Sequence, residues 1–310
     1  AECVRLMGCP EESSEGRFIV RSADAMARRL CGNTASIGVQ IGVVTGPCVA
    51  DCGFCSFAMS TTKADDYVMP RDVLEGYLRE AADSGIVSSV SLMTIHNIEL
   101  NDLLDAVATA KEVLPNDIEI CVNTGDLTFG EMQELRDAGV SKAYHALRIG
   151  EGDDTRLNPL DRFNTIRNFV RAGIEVVTCV EPIGPEHTDR EIVRLFHSAR
   201  ESGCSLCSAA RRLDVPGTRM HRMGEISASR LELIRSVLLL STGGDGFYGG
   251  HYGGFGQDFA EYAGSPKDNA DYSEAGNGNT LQAVAARLRS AGYVIRPHSC
   301  LLYTSDAADD

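Results

Sequence analysis

The sequence predicts an α/β protein folded as a (β/α) barrel of the TIM type, complete or partial. Three observations predict it: a repeated helix–glycine–strand phrase, apolar runs alternating with amphipathic stretches, and a length that suits one barrel. The phrase stands at Asp83-Ser84-Gly85-Ile86, Asp137-Ala138-Gly139-Val140, Arg171-Ala172-Gly173-Ile174, Glu201-Ser202-Gly203-Cys204 and Ser290-Ala291-Gly292-Tyr293. Glycine suits the left-handed position just past a helix, where a Cβ is strained. Each instance therefore marks a helix end that feeds a strand. The first four fall at intervals of roughly 30 to 55 residues, the size of a βα unit with variable loops. With 310 residues, one large domain is the preferred reading, since barrels of about 250 residues fold as one unit.

Short apolar runs at 37–44, 87–93, 118–122, 143–149, 174–180 and 206–210 read as strands. Amphipathic stretches at 71–84, 131–138, 161–172 and 189–202 read as the helices between them. Thr128 and Glu131 fit a capping box, which places a helix start there. Alternation of this kind implies a parallel sheet with helices outside. Six units are clear and a seventh or eighth is blurred, which favours a barrel; an open doubly wound sheet is the alternative. Residues 243–256 are too glycine-rich for regular structure and read as a loop at the barrel mouth or a linker. In that stretch His251, Tyr248 and Tyr252 are placed to close over a substrate. Helix returns at 281–290 and a strand at 293–295.

The expected organisation is an N-terminal extension over 1–35, a barrel domain over 36–299 and a separate tail over 300–310. The tail reads CLLYTSDAADD and resembles the translation of a transposon adapter used in sequencing libraries. The alternative is a frayed native end. Cys300 is therefore set aside, leaving ten of the eleven cysteines.

The net charge of −15 argues against a nucleic-acid partner, because phosphate binding needs a basic surface. No run of about 18 apolar residues is present, so no membrane span is expected. The first residues carry neither a charged n-region nor an apolar h-region, so no signal peptide is expected. The missing initiator Met is expected of a trimmed chain or a fragment. Many cysteines in a large chain without a secretory signal point to reduced thiols, some of them metal ligands, and hence to a cytoplasmic location.

Cys48-Val-Ala-Asp-Cys52-Gly-Phe-Cys55 follows the first strand directly. Barrel active sites form at this end of a strand. Three thiolates within eight residues can wrap one iron–sulfur cubane, leaving one iron open to an outside molecule. A zinc site completed by Cys204 and Cys207 is the alternative, although tetrahedral zinc sites usually pair CxxC units.

The CxxxCxxC spacing, with an aromatic residue directly before the last cysteine, resembles the signature of the radical S-adenosylmethionine (SAM) superfamily. Further segments are similar to the branch containing biotin synthase and the hydrogenase-maturation and methylornithine-forming enzymes, over roughly residues 38–271. Cys121-Val-Asn-Thr-Gly-Asp-Leu-Thr resembles the third βα unit of that branch. Ala143 to Glu151 resembles the end of its fourth strand, and Asp161-Arg162-Phe163 an element whose arginine faces SAM. Pro185-Glu186 and Pro216-Gly217-Thr218 resemble turns after strands five and six.

The resemblance implies a [4Fe–4S] cluster on Cys48, Cys52 and Cys55 whose unique iron is chelated by SAM. It also implies Phe54 near the adenine, Glu151 and Asn123 as polar contacts, and Arg162 facing the carboxylate. A guanidinium suits a carboxylate through its bidentate fork; a surface arginine at a helix start is the other reading of Arg162. Glu151 reads equally as a solvated loop acid beside Asp153 and Asp154. His145 and His96 are candidates to face the barrel interior and its mouth. The implied partners are a small-molecule substrate and an electron donor such as flavodoxin or ferredoxin.

Departures from the pattern bear on the reaction. Biotin synthase uses a second, sulfur-donating cluster, and only Cys121 stands at a matching position. Ser89-Val90-Ser91 lacks a cysteine, Cys179 is offset by about two residues, and no arginine is found in the strand after Leu240. Cys204 and Cys207 read as buried structural thiols. The expectation is hydrogen abstraction with a single cluster. Sulfur insertion, and a non-catalytic iron–sulfur or zinc protein, are the alternatives.

Overall fold

The structure is a computed structural model and describes residues 1–243, 252–253 and 281–295. The tail, His251 and Tyr248, and most of the glycine-rich stretch lie outside the described residues. Two helices, α1 (Glu2–Met7) and α2 (Ser14–Cys31), precede a short strand β1 (Thr34–Ala35) and the long strand β2 (Ile37–Thr45). The chain continues through β3 (Tyr67–Val68), α3 (Arg71–Asp83), β4 (Val87–Thr94), α4 (Leu100–Val113), β5 (Glu119–Asn123) and α5 (Phe129–Asp137). Then come β6 (Lys142–Tyr144), β7 (Leu147–Arg148), α6 (Pro159–Ala172), β8 (Glu175–Ile183), α7 (Asp189–Glu201), β9 (Leu206–Arg211) and α8 (Ala228–Ser241). The last described elements are β10 (Tyr252–Gly253), α9 (Leu281–Ser290) and β11 (Val294–Ile295).

The main sheet runs β10, β2, β4, β5, β6, β8, β9, all parallel, with β7 continuing the path of β6 along β8. Sequential parallel strands joined by helices form the barrel order read from the sequence, and the doubly wound alternative falls away. Among the described residues no pairing joins β9 to β10, so those residues form an open part of a barrel. The open edge is served by Arg235 of α8, whose Nε donates to Ala209 O at 2.7 Å. Strand β10 corrects one expectation: pairing with Gly38 and Val39 uses backbone groups alone, which glycine supplies at a sheet edge.

Side-chain polarity follows the period of two, while most of both faces is buried. Val39, Ile41 and Val43 of β2, Val90 and Leu92 of β4, and Ile120 and Val122 of β5 are buried apolar residues. Helix residues Leu74, Leu78, Leu103, Val107, Met132, Leu135, Ile166, Phe169, Ile192 and Phe196 join them in one core cluster. The alternate face carries Ser91, Cys121 and Asn123, so the barrel interior is polar where barrel cores are usually branched and apolar. Its lower end holds a buried Lys142, whose Nζ lies 2.9 Å from Glu119 and 3.4 Å from Glu175.

The run predicted as one strand over 143–149 breaks at His145 and Ala146 into β6 and β7. Thr178 Oγ1 donates to His145 O at 2.7 Å and accepts Leu147 N–H at 3.2 Å, so a side chain replaces the missing ladder bond. The capping box at Thr128–Glu131 is formed, and a second one lies at Thr188–Glu191. Residues 1–35 supply α1, α2 and β1; α2 packs on α8, and α1 on α7 and α8. No described helix is long and apolar enough to cross a membrane.

Phe169 is fully buried whereas Phe18 is 65% exposed. Phe169→Ala is expected to cost ~3–5 kcal/mol of unfolding free energy, and Phe18→Ala less than about 0.5 kcal/mol. Equilibrium denaturation of the two variants checks the contrast.

Candidate functional site

The cysteine loop leaves the C-terminal end of β2, as the motif predicts. Cys48 N–H donates to Phe57 O at 2.8 Å and Met59 N–H to Cys48 O at 3.1 Å, closing the loop on itself. The thiols receive backbone donors: His96 N–H points to Cys48 Sγ and Phe57 N–H to Cys55 Sγ, each at 3.4 Å. Burial pushes the Cys52 thiol up to about 12 and raises Cys55 as well. Such thiols become thiolates only when a metal displaces the proton.

Loops from distant strands lock this loop in place. Gly53 N–H donates to Asp154 O, Met220 N–H to Gly53 O and Arg156 N–H to Ala50 O, each at 2.8 Å. A Cβ at Gly53 would lie 3.0 Å from the Met220 side chain, so glycine permits that close approach. Asp51, inside the motif, is fully buried and bonded to Arg156 and Arg219. Sequence reasoning missed it, although an acid between two candidate ligands was a signal available to it.

A cavity of about 360 Å³ opens beside the loop at the C-terminal ends of the strands. Phe54, Cys55 and Asn123 line it, together with Arg148, Glu181 and Arg212. Arg148 was not singled out from the sequence, yet it lines the cavity. It is ion-paired with Glu181, and its guanidinium carbon lies 5.6 Å from the centre of the Phe54 ring. Arg212, fully buried, forms a fork with Glu186 and donates to Gly224 O at 2.9 Å. A Cβ at Gly184 would meet that guanidinium at 2.5 Å, so a larger residue there would displace the Arg212–Glu186 fork.

Arg162 and Glu151 do not line the cavity. Arg162 is a buried residue, not the surface arginine of the alternative reading. It donates to Asp126 Oδ1 at 3.1 Å and Ala146 O at 2.9 Å, and its Nε lies 3.8 Å from Glu151. The Glu151 side chain is 7% exposed and accepts Arg148 N–H at 3.0 Å and the Thr155 hydroxyl at 3.2 Å; it is not a solvated acid. Burial raises its pKa against the pull of Arg162. Both residues therefore hold segment 146–148, which carries Arg148 into the cavity.

Cys204 and Cys207 lie at the start of β9, the end of the sheet away from the cysteine loop, so they cannot complete a zinc site with it. Among the described residues, no group of three or more His, Cys, Asp or Glu converges as one metal ion requires. Cys121 stands across from Ser91 in the β4–β5 ladder. Cys179 neighbours Tyr144 and feels the charge of Arg235. That half-buried arginine comes from α8, which sequence reasoning did not search for one.

Behind the cavity, His145 Nε2 lies 3.4 Å from Asp126 Oδ1, and neither ring nitrogen has a hydrogen-bond partner. Burial, reinforced by Arg162, pushes His145 down to about 3. Burial alone would raise Asp126, but His145, Arg162 and Thr165 hold it well below the carboxylate range. His96, 4.0 Å from the other Asp126 oxygen, is lowered mainly by burial. The sign follows from linkage. With both folded values depressed, the unfolded chain takes up protons first, and stability falls as pH drops. For His145 the loss begins near its ordinary value of about 6.5, at up to about 1.4 kcal/mol per pH unit, and runs down to about 3. For Asp126 it begins in the ordinary carboxylate range. Denaturation of the metal-free chain at pH 7.5 and 5 should show the fall, and His145→Phe should reduce it. An unchanged pH profile in that variant would contradict the assignment.

Comparison with known proteins places this geometry in a family. The family model described as the radical SAM superfamily matches residues 43–199, half of the chain. Biotin synthase of Microcystis aeruginosa is 27% identical over 194 residues, covering 58% of this chain and 53% of that protein. The chain thus spans about half the length of this curated relative. The crystal structure of methylornithine synthase (PylB) superposes with a TM-score of 0.77 at 16% identity, covering 96% of this chain and 94% of that one. The FeFe-hydrogenase maturase HydG from Carboxydothermus hydrogenoformans superposes at 0.71 with 12% identity, covering 94% and 74%. The two superpositions speak to the fold, and the family match to the chemistry. The chain belongs to the radical SAM superfamily and is an enzyme whose cofactors are a [4Fe–4S] cluster and SAM.

Proposed function

We propose that Cys48, Cys52 and Cys55 hold the cluster, and that the chain abstracts hydrogen from a small molecule enclosed at the barrel mouth. The observation that carries this reading is the cavity shared by Cys55, Phe54, Asn123 and Arg148. When bound, the reduced cluster and SAM supply a 5′-deoxyadenosyl radical, with methionine as the other product. The residues present fit these groups: soft thiol donors, two of them facing backbone N–H groups, beside a Gly53 that lets the chain fold closely around them.

Phe54 offers a flat apolar face for the adenine, and Asn123 a donor and an acceptor for its polar edge or the ribose. Arg148, at the end of β7, is the guanidinium that faces the carboxylate of SAM. Glu151 and Arg162 act on SAM through it, by fixing the bend at Ala146 and the Arg148 N–H. A radical reaction requires water to be excluded from this cavity once SAM and substrate fill it. The reductant is a one-electron protein donor of the flavodoxin or ferredoxin kind.

The ladder register favours one cluster over two: Cys121 is level with Lys142 and Glu175, and Cys179 lies about four residues further along β8 than Glu175. Anaerobic reconstitution is expected to yield about four irons per chain, where sulfur insertion with a second cluster needs about six. The reduced protein should release 5′-deoxyadenosine from SAM, and a Cys48→Ala control should not. Equal product from both would overturn the proposal. Arg148→Met is expected to weaken SAM binding about tenfold, near 1.4 kcal/mol, as read by equilibrium dialysis; unchanged affinity would remove Arg148 from the site.

A further inference from the structure

We propose that Asp51 is the positioning residue of the cysteine loop. Its buried carboxylate draws three loops together, keeps the thiols in ligating order before the cluster arrives, and sets the charge beside it. The proposal rests on Cys48, Cys52 and Cys55 being the ligands.

Segments far apart in sequence meet at this one side chain. Asp51 Oδ2 lies 2.9 Å from Arg219 Nη1 and 3.0 Å from Arg156 Nη2, while Oδ1 accepts Ser60 N–H at 2.9 Å. Arg219 Nη2 also donates to Asp51 O at 2.7 Å and to Asp154 O at 3.3 Å. The loops after β7 and β9 are thereby tied to the loop after β2. Asp51 itself has φ +48°, a left-handed conformation that residues other than glycine rarely adopt and that Asp and Asn tolerate best. Such a conformation persists only where surrounding contacts enforce it. A carboxylate with no exposed surface is strongly disfavoured unless paired, so the two guanidiniums and the loop shape require one another.

Asp51 does not line the cavity, so it acts through Cys48 and Cys52 on either side. Two guanidiniums against one carboxylate leave a net positive charge next to Cys52. Neutralising Asp51 unmasks a second cation and favours the more negative, reduced cluster. Removing Arg219 does the opposite. A purely structural loosening would not move the two variants in opposite directions.

Wild type, Asp51→Asn, Arg219→Met and the double variant are compared as full chains, with Cys52→Ala as the ligand control. Asn keeps an acceptor oxygen and tolerates the left-handed backbone, so the fold is retained; amide exchange outside residues 48–60 reports this. In the metal-free chains, exchange within 48–60 should quicken in both single variants. After reconstitution, iron release to a chelator should quicken at least about fivefold, with the double variant no faster than the faster single one, as expected of residues acting as a unit. The cluster midpoint potential should rise in Asp51→Asn and fall in Arg219→Met. Wild-type exchange and release rates, or potential shifts of the same sign, overturn the proposal while an empty Cys52→Ala chain leaves the ligand assignment standing. A fully loaded Cys52→Ala chain overturns both.

Discussion

Everything chemical in this molecule depends on the parallel alignment of its strands. Because β2, β4, β5, β6, β8 and β9 run the same way, the loops that follow them open at one end of the sheet. The cysteine loop follows β2, Asp126 follows β5, and Glu151 and Arg156 follow β7. Arg212 and Arg219 follow β9. Alternation then separates stability from function. One face of each strand packs on the helices, and the other is left free to carry polar groups that a packed core would reject.

Charge at the mouth is compensated almost residue by residue. Arg148 is paired with Glu181, Arg212 with Glu186, Arg162 with Asp126, and Arg156 and Arg219 with Asp51. Where both partners are largely buried, as with Arg162 and Asp126, such pairs contribute less to stability than their Coulomb attraction suggests, because desolvation offsets it. Their effect is geometric. Each guanidinium joins its own segment, whether strand, helix or loop, to another part of the mouth. His145, neutral and wedged beside Asp126, completes this layer without adding a charge to it.

The interior is equally informative. A closed barrel fills its centre with branched apolar side chains; here Ser91, Cys121 and Asn123 face inward, above the ion pairs of Lys142. A polar interior next to a cavity fits a polar ligand held at several points. At the open edge, Arg235 bonds a strand carbonyl that a neighbouring strand would otherwise satisfy. The same guanidinium lies near Cys179 and counters the rise that burial gives its thiol.

By itself the sequence determined the fold class, the order of the βα units and the cysteine loop, because each rests on local spacing. Glycine after a helix, alternation along a strand and three cysteines within one turn of chain need no knowledge of distant residues. Only the tertiary structure decided which polar side chains reach the cavity. Arg162 and Glu151 matched local patterns yet sit one layer behind. Arg148 keeps the face of Lys142 and Tyr144 across the break at His145, because β6 and β7 pair with β8 in one register while Thr178 from that strand bridges the gap. The role of Asp51 likewise depends on Arg156 and Arg219, more than 100 residues downstream, and no local pattern encodes contacts made across a barrel mouth.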